Sequence, residues 1–193
     1  MIEMLVYITV FIFVMLALVM SVRYFYRTSN YSIQQAQATA SAQRGIDKVM
    51  RVVREAAYAS NGSYPIISFG PNDFKFYADI DTDSFVEKVH YYVASTTASS
   101  ASLIEGAIQP SGDPPVYTGA EATSTLSNYV HNLDQGVATF TYYDQNGAQI
   151  TDYTKVASVR FVTINMVVDV DPNRTPTILT LRSSAALRNL VGK

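Results

Sequence analysis

Residues 4–22 read MLVYITVFIFVMLALVMSV, a run that contains no charged residue, no Pro and no Gly. A helix of this length spans roughly 28 Å, which is close to the hydrocarbon thickness of a bilayer. A soluble fold would have to bury such a helix on every side, so the sequence predicts one membrane-spanning helix. The large apolar residues of this membrane helix include Met4, Leu5, Val6, Ile8, Phe11, Phe13, Leu16 and Leu18.

A cleaved secretory signal is the alternative for an apolar N-terminal segment. It would need a basic start, a shorter apolar stretch and a cleavage site of small residues. The start of this chain contains no Lys or Arg, and the run is followed by Arg23-Tyr24-Phe25-Tyr26-Arg27. The sequence therefore disfavours a conventional signal peptide.

Charge and cysteine content exclude several kinds of chemistry and ligand for the chain. The chain has no Cys, which excludes disulfides, thiolate nucleophiles and Cys-based metal sites. Residues 21–58 hold six basic and two acidic residues, whereas residues 59–193 hold eight basic and thirteen acidic residues. An acidic C-terminal part argues against nucleic-acid binding, so we predict no nucleic-acid contact there.

The helix is predicted to continue beyond the membrane. Residues 21–60 contain no Pro, and their only Gly is Gly45. Apolar residues recur at helical spacing on one face, which predicts that this part packs on a domain. We expect the helix to end near Asn61-Gly62, although a break near residues 28–31 would give two helices instead. The apolar face comprises Ile46, Val49, Met50, Val53, Ala56 and Ala57.

The pattern alternates after Pro65, which is typical of β-strands. We predict an α+β fold, in which a long N-terminal membrane-spanning helix of residues 1–60 packs its C-terminal half on an antiparallel β-sheet head of residues 61–193. Residues 95–102 are predicted to be a loose loop and residues 110–127 a long surface excursion, and residues 129–133 are ambiguous. The predicted strands are 66–69, 73–80, 86–94, 103–108, 137–143, 156–170 and 177–187, with turns at 144–147 and 171–173.

The N-terminal order Ile2-Glu3-Met4-Leu5-Val6 resembles the signature of type IV pilins and pseudopilins, which reads leucine-isoleucine-glutamate before an apolar run. Met1 stands at the leucine position and Glu3 matches the glutamate. The resemblance implies that Glu3 registers subunits through the N-terminal amine of a neighbour. DKVMRVVREA, DFKFYADIDTDSFVEKVHYYV, FTYYDQNG and TLRSSAALRN, farther along the chain, resemble PilW-like minor pilins and the J-type pseudopilins of type II secretion.

The start of the sequence departs from that family. The family has a short basic leader ending in glycine and a phenylalanine-threonine pair, and neither precedes the signature here. We expect either a truncated or misassigned start or an unprocessed member. Arg23 and Arg27 alone would place the C-terminal part in the cytoplasm by the positive-inside rule, whereas the resemblance implies an extracytoplasmic head, which we adopt.

The resemblance implies a structural subunit held in the inner membrane and then assembled into a type IV pilus or a periplasmic secretion pseudopilus. Its partners would be other pilin or pseudopilin subunits, the inner-membrane assembly platform and the lipid bilayer. The alternative is a single-pass anchored binding or sensor domain that does not polymerise. No nucleophile motif, phosphate-binding loop or His-rich metal motif appears, so we predict a non-enzymatic role.

Three alternate carboxylates, Asp79, Asp81 and Asp83, form a candidate metal ligand set, because such carboxylates can converge on Ca²⁺ in a loop. The spacing does not match an EF-hand, and an acidic surface turn is the alternative interpretation, which the pattern favours. No other cofactor is predicted.

Asp169 and Asp171 also lie near a turn, and they give the same hypothesis of a Ca²⁺ site less support. His90 and His131 are interpreted as structural or exposed residues.

Overall fold

The structure is a computed structural model that describes residues 2–81, 83, 85–97, 100–171, 174 and 178–190. Over these residues it is an α+β fold, in which one long N-terminal helix precedes an antiparallel sheet of nine strands. The fold class predicted from the sequence is therefore confirmed. The chain forms two compact units, Met1–Gln37 and Ala38–Lys193.

Helix α1 spans Ile2–Arg54 and shows no break at residues 28–31. It ends before the predicted stop near Asn61, so that prediction is wrong. The Glu55 N–H donates to the Val52 carbonyl at 3.0 Å, which tightens the last turn. The Ala57 N–H then donates to Tyr77 O at 2.9 Å, so the backbone leaves the helix to pair with a strand.

Every strand is antiparallel to its neighbours, and the sheet order is β1-β2-β3-β4-β5-β8-β6-β7. Strand β8 pairs with β9 along one edge and with β6 along the other. Strand β5 also pairs with β8, through Val130 and Val168. The strands are β1 Ile66–Phe69, β2 Asp73–Ala78, β3 Glu87–Thr97, β4 Ser100–Ile108, β5 Ala122–Val130, β6 Phe140–Tyr143, β7 Gln149–Ile150, β8 Phe161–Val168 and β9 Leu179–Ala186.

The core lies between the C-terminal part of α1 and one face of the sheet. Ile46, Val49, Met50 and Val53 of the predicted helix face are buried there, whereas Ala56 and Ala57 lie beyond the helix end and Ala57 is half-buried. The alternation predicted for β3 is confirmed, and that predicted for β2 holds except at Tyr77, which is also buried. Phe74 and Phe76 stack with ring centroids 4.6 Å apart, and each large apolar side chain buried in this way contributes about 1.5–3 kcal/mol. The buried residues of these elements include Ala42, Ile46, Val49, Met50, Val53, Phe74, Phe76, Val89, Tyr91 and Val93.

Three contacts fix α1 against β4 and β5. Lys48 Nζ lies 2.7 Å from an oxygen of Glu105, whose side chain is only 7% exposed. The Ser41 hydroxyl donates to Leu126 O at 3.4 Å. Gly45 faces Leu126 so closely that an added Cβ would lie 3.3 Å from Leu126 O. The missing side chain at Gly45 therefore sets the distance between helix and sheet.

Two predicted loops contain strand residues. Within residues 95–102, β3 continues to Thr97 and β4 starts at Ser100, so the prediction of a loose loop there is wrong. Residues 98 and 99 lie outside the described residues. The predicted excursion 110–127 ends early, because β5 begins at Ala122 and pairs with β4. The first four residues of β5 are all exposed, so alternating hydrophobicity could not reveal the strand.

The strand predicted over residues 156–170 is shorter in the structure. A 3₁₀ turn spans Val156–Ser158, and β8 starts only at Phe161. Asp152 Oδ1 accepts the Thr154 N–H at 3.1 Å and the Thr154 hydroxyl at 2.6 Å, which stabilises a turn before the strand. Strand β9 confirms most of the predicted return strand, whereas residues 172, 173 and 177 lie outside the described residues.

Candidate functional site

The N-terminal part of α1 carries an unusual amount of exposed apolar surface. Its large apolar side chains between Ile2 and Tyr26 are 47–79% exposed. A core helix of a soluble protein would be mostly buried, whereas none of the most apolar stretch here is buried. The segment therefore has the length, composition and exposure of a membrane-spanning helix. All predicted residues of the membrane helix belong to this surface, namely Met4, Leu5, Val6, Ile8, Phe11, Phe13, Leu16 and Leu18.

Glu3 lies in the first turn of α1 and is exposed. The unpaired N–H groups at a helix N-terminus carry partial positive charge, which favours a carboxylate at this position. Next to it the apolar surface begins, so Glu3 is available to a cation on another molecule at the end of the membrane segment. Met1, which holds the leucine position of the signature, lies outside the described residues.

Aromatic and basic residues mark the other end of the apolar segment. Tyr24, Phe25 and Tyr26 are 63–74% exposed, and Arg23 and Arg27 flank them. Aromatic rings prefer the boundary between hydrocarbon and lipid headgroups, and long basic side chains reach into the headgroups from there. This composition is typical of the interfacial end of a membrane helix.

A second group of polar residues lies where the hairpin of β2 and β3 closes. Carboxylate oxygens of Asp79, Asp81 and Glu87 lie within 4.8 Å of one another. Ala78 and Glu87 are the last paired residues of the hairpin, and the connecting loop begins at Asp79. Strand pairing therefore places Glu87, which follows the loop, beside the two aspartates that begin it.

Glu87 is the buried member of this group. The residue is fully buried, its Oε2 accepts the Ile80 N–H at 2.9 Å, and its Oε1 has no hydrogen-bond partner among the described residues. Burial raises the pKa of the Glu87 carboxyl, the Ile80 hydrogen bond partly offsets this, and the charge of Asp81 raises it further.

The sequence predicted Asp79, Asp81 and Asp83 as the ligand set, and the structure brings Asp79 and Asp81 together with Glu87 instead of Asp83. Asp83 Oδ1 accepts the Phe85 N–H at 2.6 Å, which closes a local turn instead of joining the cluster. Glu87 follows the D-x-D-x-D pattern without belonging to it, and only the strand pairing brings it back. The signal available in the sequence was its position at the start of β3 beside the acidic loop.

The second acidic pair lies in a turn after β8. Asp169 is buried, and its Oδ1 accepts the Asp171 N–H at 3.1 Å, while Asp171 forms an ion pair with Arg174 at 3.3 Å. Among the described residues, Asp79, Asp81 and Glu87 form a group of converging carboxylates, and this pair does not belong to it.

Each histidine lies between hydrogen-bond acceptors. The Nε2 atom of His90 lies 2.6 Å from Asp73 Oδ2, and its Nδ1 atom lies 3.0 Å from Glu121 Oε1. His90 connects β2 to the residue before β5.

The second histidine, His131, is buried after β5. Its Nδ1 lies 3.0 Å from Asp134 Oδ2, and its Nε2 donates to the Asp169 carbonyl at 3.1 Å. This contact ties the end of β5 to the end of β8, as expected of a structural histidine.

Comparison with known proteins adds no assignment to these two sites. No protein-family model, curated protein or solved structure matches this chain. The exposed apolar helix and the chemistry of the residues around it are therefore the features that bear on function.

Proposed function

We propose that this protein is a minor pilin or pseudopilin, a structural subunit that is inserted in the inner membrane and assembled into a type IV pilus or a secretion pseudopilus. Its N-terminal helix makes the contacts with other pilin or pseudopilin subunits. The head lies on the extracytoplasmic side, and the inner-membrane platform is the partner during assembly.

The observation that carries the proposal is the exposed apolar surface of α1. The surface covers all sides of the helix from Met4 to Val22, and the same helix continues without interruption to Arg54. A bilayer covers such a surface on all sides, and so does a bundle of similar helices from neighbouring subunits. A helix of this kind can therefore exchange lipid contacts for subunit contacts.

Glu3 supplies a reason for a defined register between copies. A carboxylate beside hydrocarbon is costly unless it remains in the headgroups or meets a cation. The N-terminal amine of an adjacent subunit is such a cation when it is protonated. An ion pair in low-dielectric surroundings favours one axial position of the two helices over others. The resemblance at residues 2–6 supports the same role for Glu3.

The experiment replaces Glu3 with Ala in the full chain and measures its distribution between membranes and assembled fibres. We expect normal membrane insertion and at least a tenfold loss from the fibre fraction, which corresponds to about 1.4 kcal/mol. Glu55→Ala is the matched control, because Glu55 is also an exposed glutamate but lies outside the apolar segment of residues 4–22.

The opposite outcome identifies the alternative function. Equal distribution of wild type and Glu3→Ala, with both confined to membranes, would leave a single-pass anchored binding or sensor domain that does not polymerise.

A further inference from the structure

We propose that Asp79, Asp81 and Glu87 bind a Ca²⁺ ion at the closed end of the β2–β3 hairpin. The inference concerns the sheet domain alone and does not depend on the proposed assembly function. It rests on the geometry of the three carboxylates and on the burial of Glu87.

The geometry suits one ion shared by three carboxylates. Their oxygens lie within 4.8 Å of one another, and two oxygens that each lie 2.3–2.6 Å from a Ca²⁺ ion can be separated by up to about 5 Å. Two of the ligands come from the start of the loop and the third comes from β3, so the ion would cross-link both ends of the loop.

The buried carboxylate of Glu87 supplies an independent reason for a ligand. Burying a carboxylate is costly unless its oxygens are paired or coordinate a metal. Oε2 has the Ile80 N–H, but Oε1 is buried with no hydrogen-bond partner among the described residues. A cation among the three carboxylates would satisfy this oxygen.

Among the described residues, protein cations do not compensate the charges of Asp81 and Glu87. No Lys, Arg or His of the described residues lies within 4.0 Å of the Asp81 or Glu87 carboxylate oxygens. The Gln109 side chain donates to Asp81 Oδ2 at 2.9 Å, which orients that carboxylate without neutralising it. A divalent cation would neutralise these two carboxylates.

The ligand chemistry selects Ca²⁺ over other common metals. All three ligands are hard carboxylate oxygens, whereas Zn²⁺ in proteins is bound mainly by His and Cys. Mg²⁺ demands near-ideal octahedral geometry with shorter bonds and keeps most of its water. Ca²⁺ accepts irregular geometry, and an accessible loop site with few protein ligands corresponds to a Kd of about 10⁻⁴–10⁻³ M.

The end of the loop is held in place without the metal. The Val86 N–H donates to the Ser60 hydroxyl at 3.0 Å, and the Tyr117 hydroxyl donates to Val86 O at 2.6 Å. Glu87, the next residue, is therefore positioned before an ion arrives. Preorganisation of one ligand reduces the ordering cost of binding.

The test measures thermal unfolding of the full chain in detergent, first freed of metals with EDTA and then titrated with CaCl₂. At 10 mM Ca²⁺ we expect the melting temperature to rise by about 3–10 °C, because the ion binds only the folded state. The same concentration of Mg²⁺ should give less than half that shift. No shift with Ca²⁺, or an equal shift with Mg²⁺, would overturn the proposal.

Variants locate the site. Glu87→Gln should abolish the Ca²⁺-dependent shift, and Asp81→Asn, at an exposed position where folding is not at risk, should weaken Ca²⁺ binding at least tenfold by calorimetric titration. Asp83→Asn is the matched control and should retain the shift, because Asp83 lies in the same loop but outside the cluster. A full shift in Asp81→Asn, or its loss in Asp83→Asn, would contradict the assignment.

Discussion

Replacing Lys48 with Met should destabilise the sheet domain more than any other change to an exposed charge on α1. Lys48 Nζ contacts both carboxylate oxygens of Glu105, at 2.7 and 2.9 Å. The Tyr91 hydroxyl points to the same carboxylate at 3.5 Å and is itself buried. Loss of the ammonium would leave a carboxylate between helix and sheet without its cation.

The magnitude follows from the burial of the two partners. Breaking a fully buried ion pair costs about 3–5 kcal/mol, because the remaining charge stays desolvated. The Glu105 side chain is 7% exposed but that of Lys48 is 45% exposed, so water screens part of the interaction. We therefore expect a loss of about 2–3 kcal/mol, which lowers the melting temperature of a domain of this size by roughly 5–10 °C.

Thermal unfolding of the full chain in detergent, followed by circular dichroism, measures this loss. Arg44→Met is the control, because Arg44 is exposed on the same helix and should change the melting temperature by less than 2 °C, about 0.5 kcal/mol. The double variant Lys48→Met/Glu105→Gln should recover at least half of the loss, since it removes the stranded charge. Equal effects of Lys48→Met and Arg44→Met, or no recovery in the double variant, would show that the ion pair of Lys48 and Glu105 does not stabilise the domain.

Two further predictions concern the same domain. Burial raises the pKa of the Tyr91 and Tyr142 hydroxyls above the usual 10.0, so their contribution to stability is present below about pH 10 and is lost as the pH rises further. A phenolate absorbance titration should show these two tyrosines ionising only with unfolding, and ionisation of every tyrosine near pH 10 in the folded chain would contradict this. Gly45→Leu should destabilise by about 1–3 kcal/mol, because its side chain would meet the Leu126 backbone, whereas Gln43→Leu on the exposed side should change stability by less than 0.5 kcal/mol. Urea unfolding of both leucine variants checks the difference, and equal losses would be the contrary result.

The parts of the fold with a strong periodic pattern were predictable. Ile46, Val49 and Val53 recur at helical spacing, and all three are buried against the sheet. Strands β2 and β3 alternate apolar and polar residues as a half-buried sheet requires. In both cases the local pattern and the tertiary packing require the same arrangement, so the sequence alone was sufficient.

The missed parts depend on long-range pairing. Strand β5 is held by backbone hydrogen bonds to β4, while most of its side chains are exposed and show no alternation. The helix ends at Arg54 because Ala56 and Ala57 pair with β2, a partner that local propensity does not reveal. Glu87 joined the acidic cluster for the same reason, since its register opposite Ala78 is a property of the hairpin.

The membrane segment was predictable because composition and length decide it, whereas assembly depends on contacts with other molecules. Photo-crosslinking in cells would detect such contacts, with benzoyl-phenylalanine placed at Phe11, an exposed aromatic position in the middle of the apolar surface. We predict covalent adducts with other helix-bearing subunits that disappear when Glu3→Ala is added. Adducts with lipid alone, unchanged by Glu3→Ala, would contradict assembly through this helix.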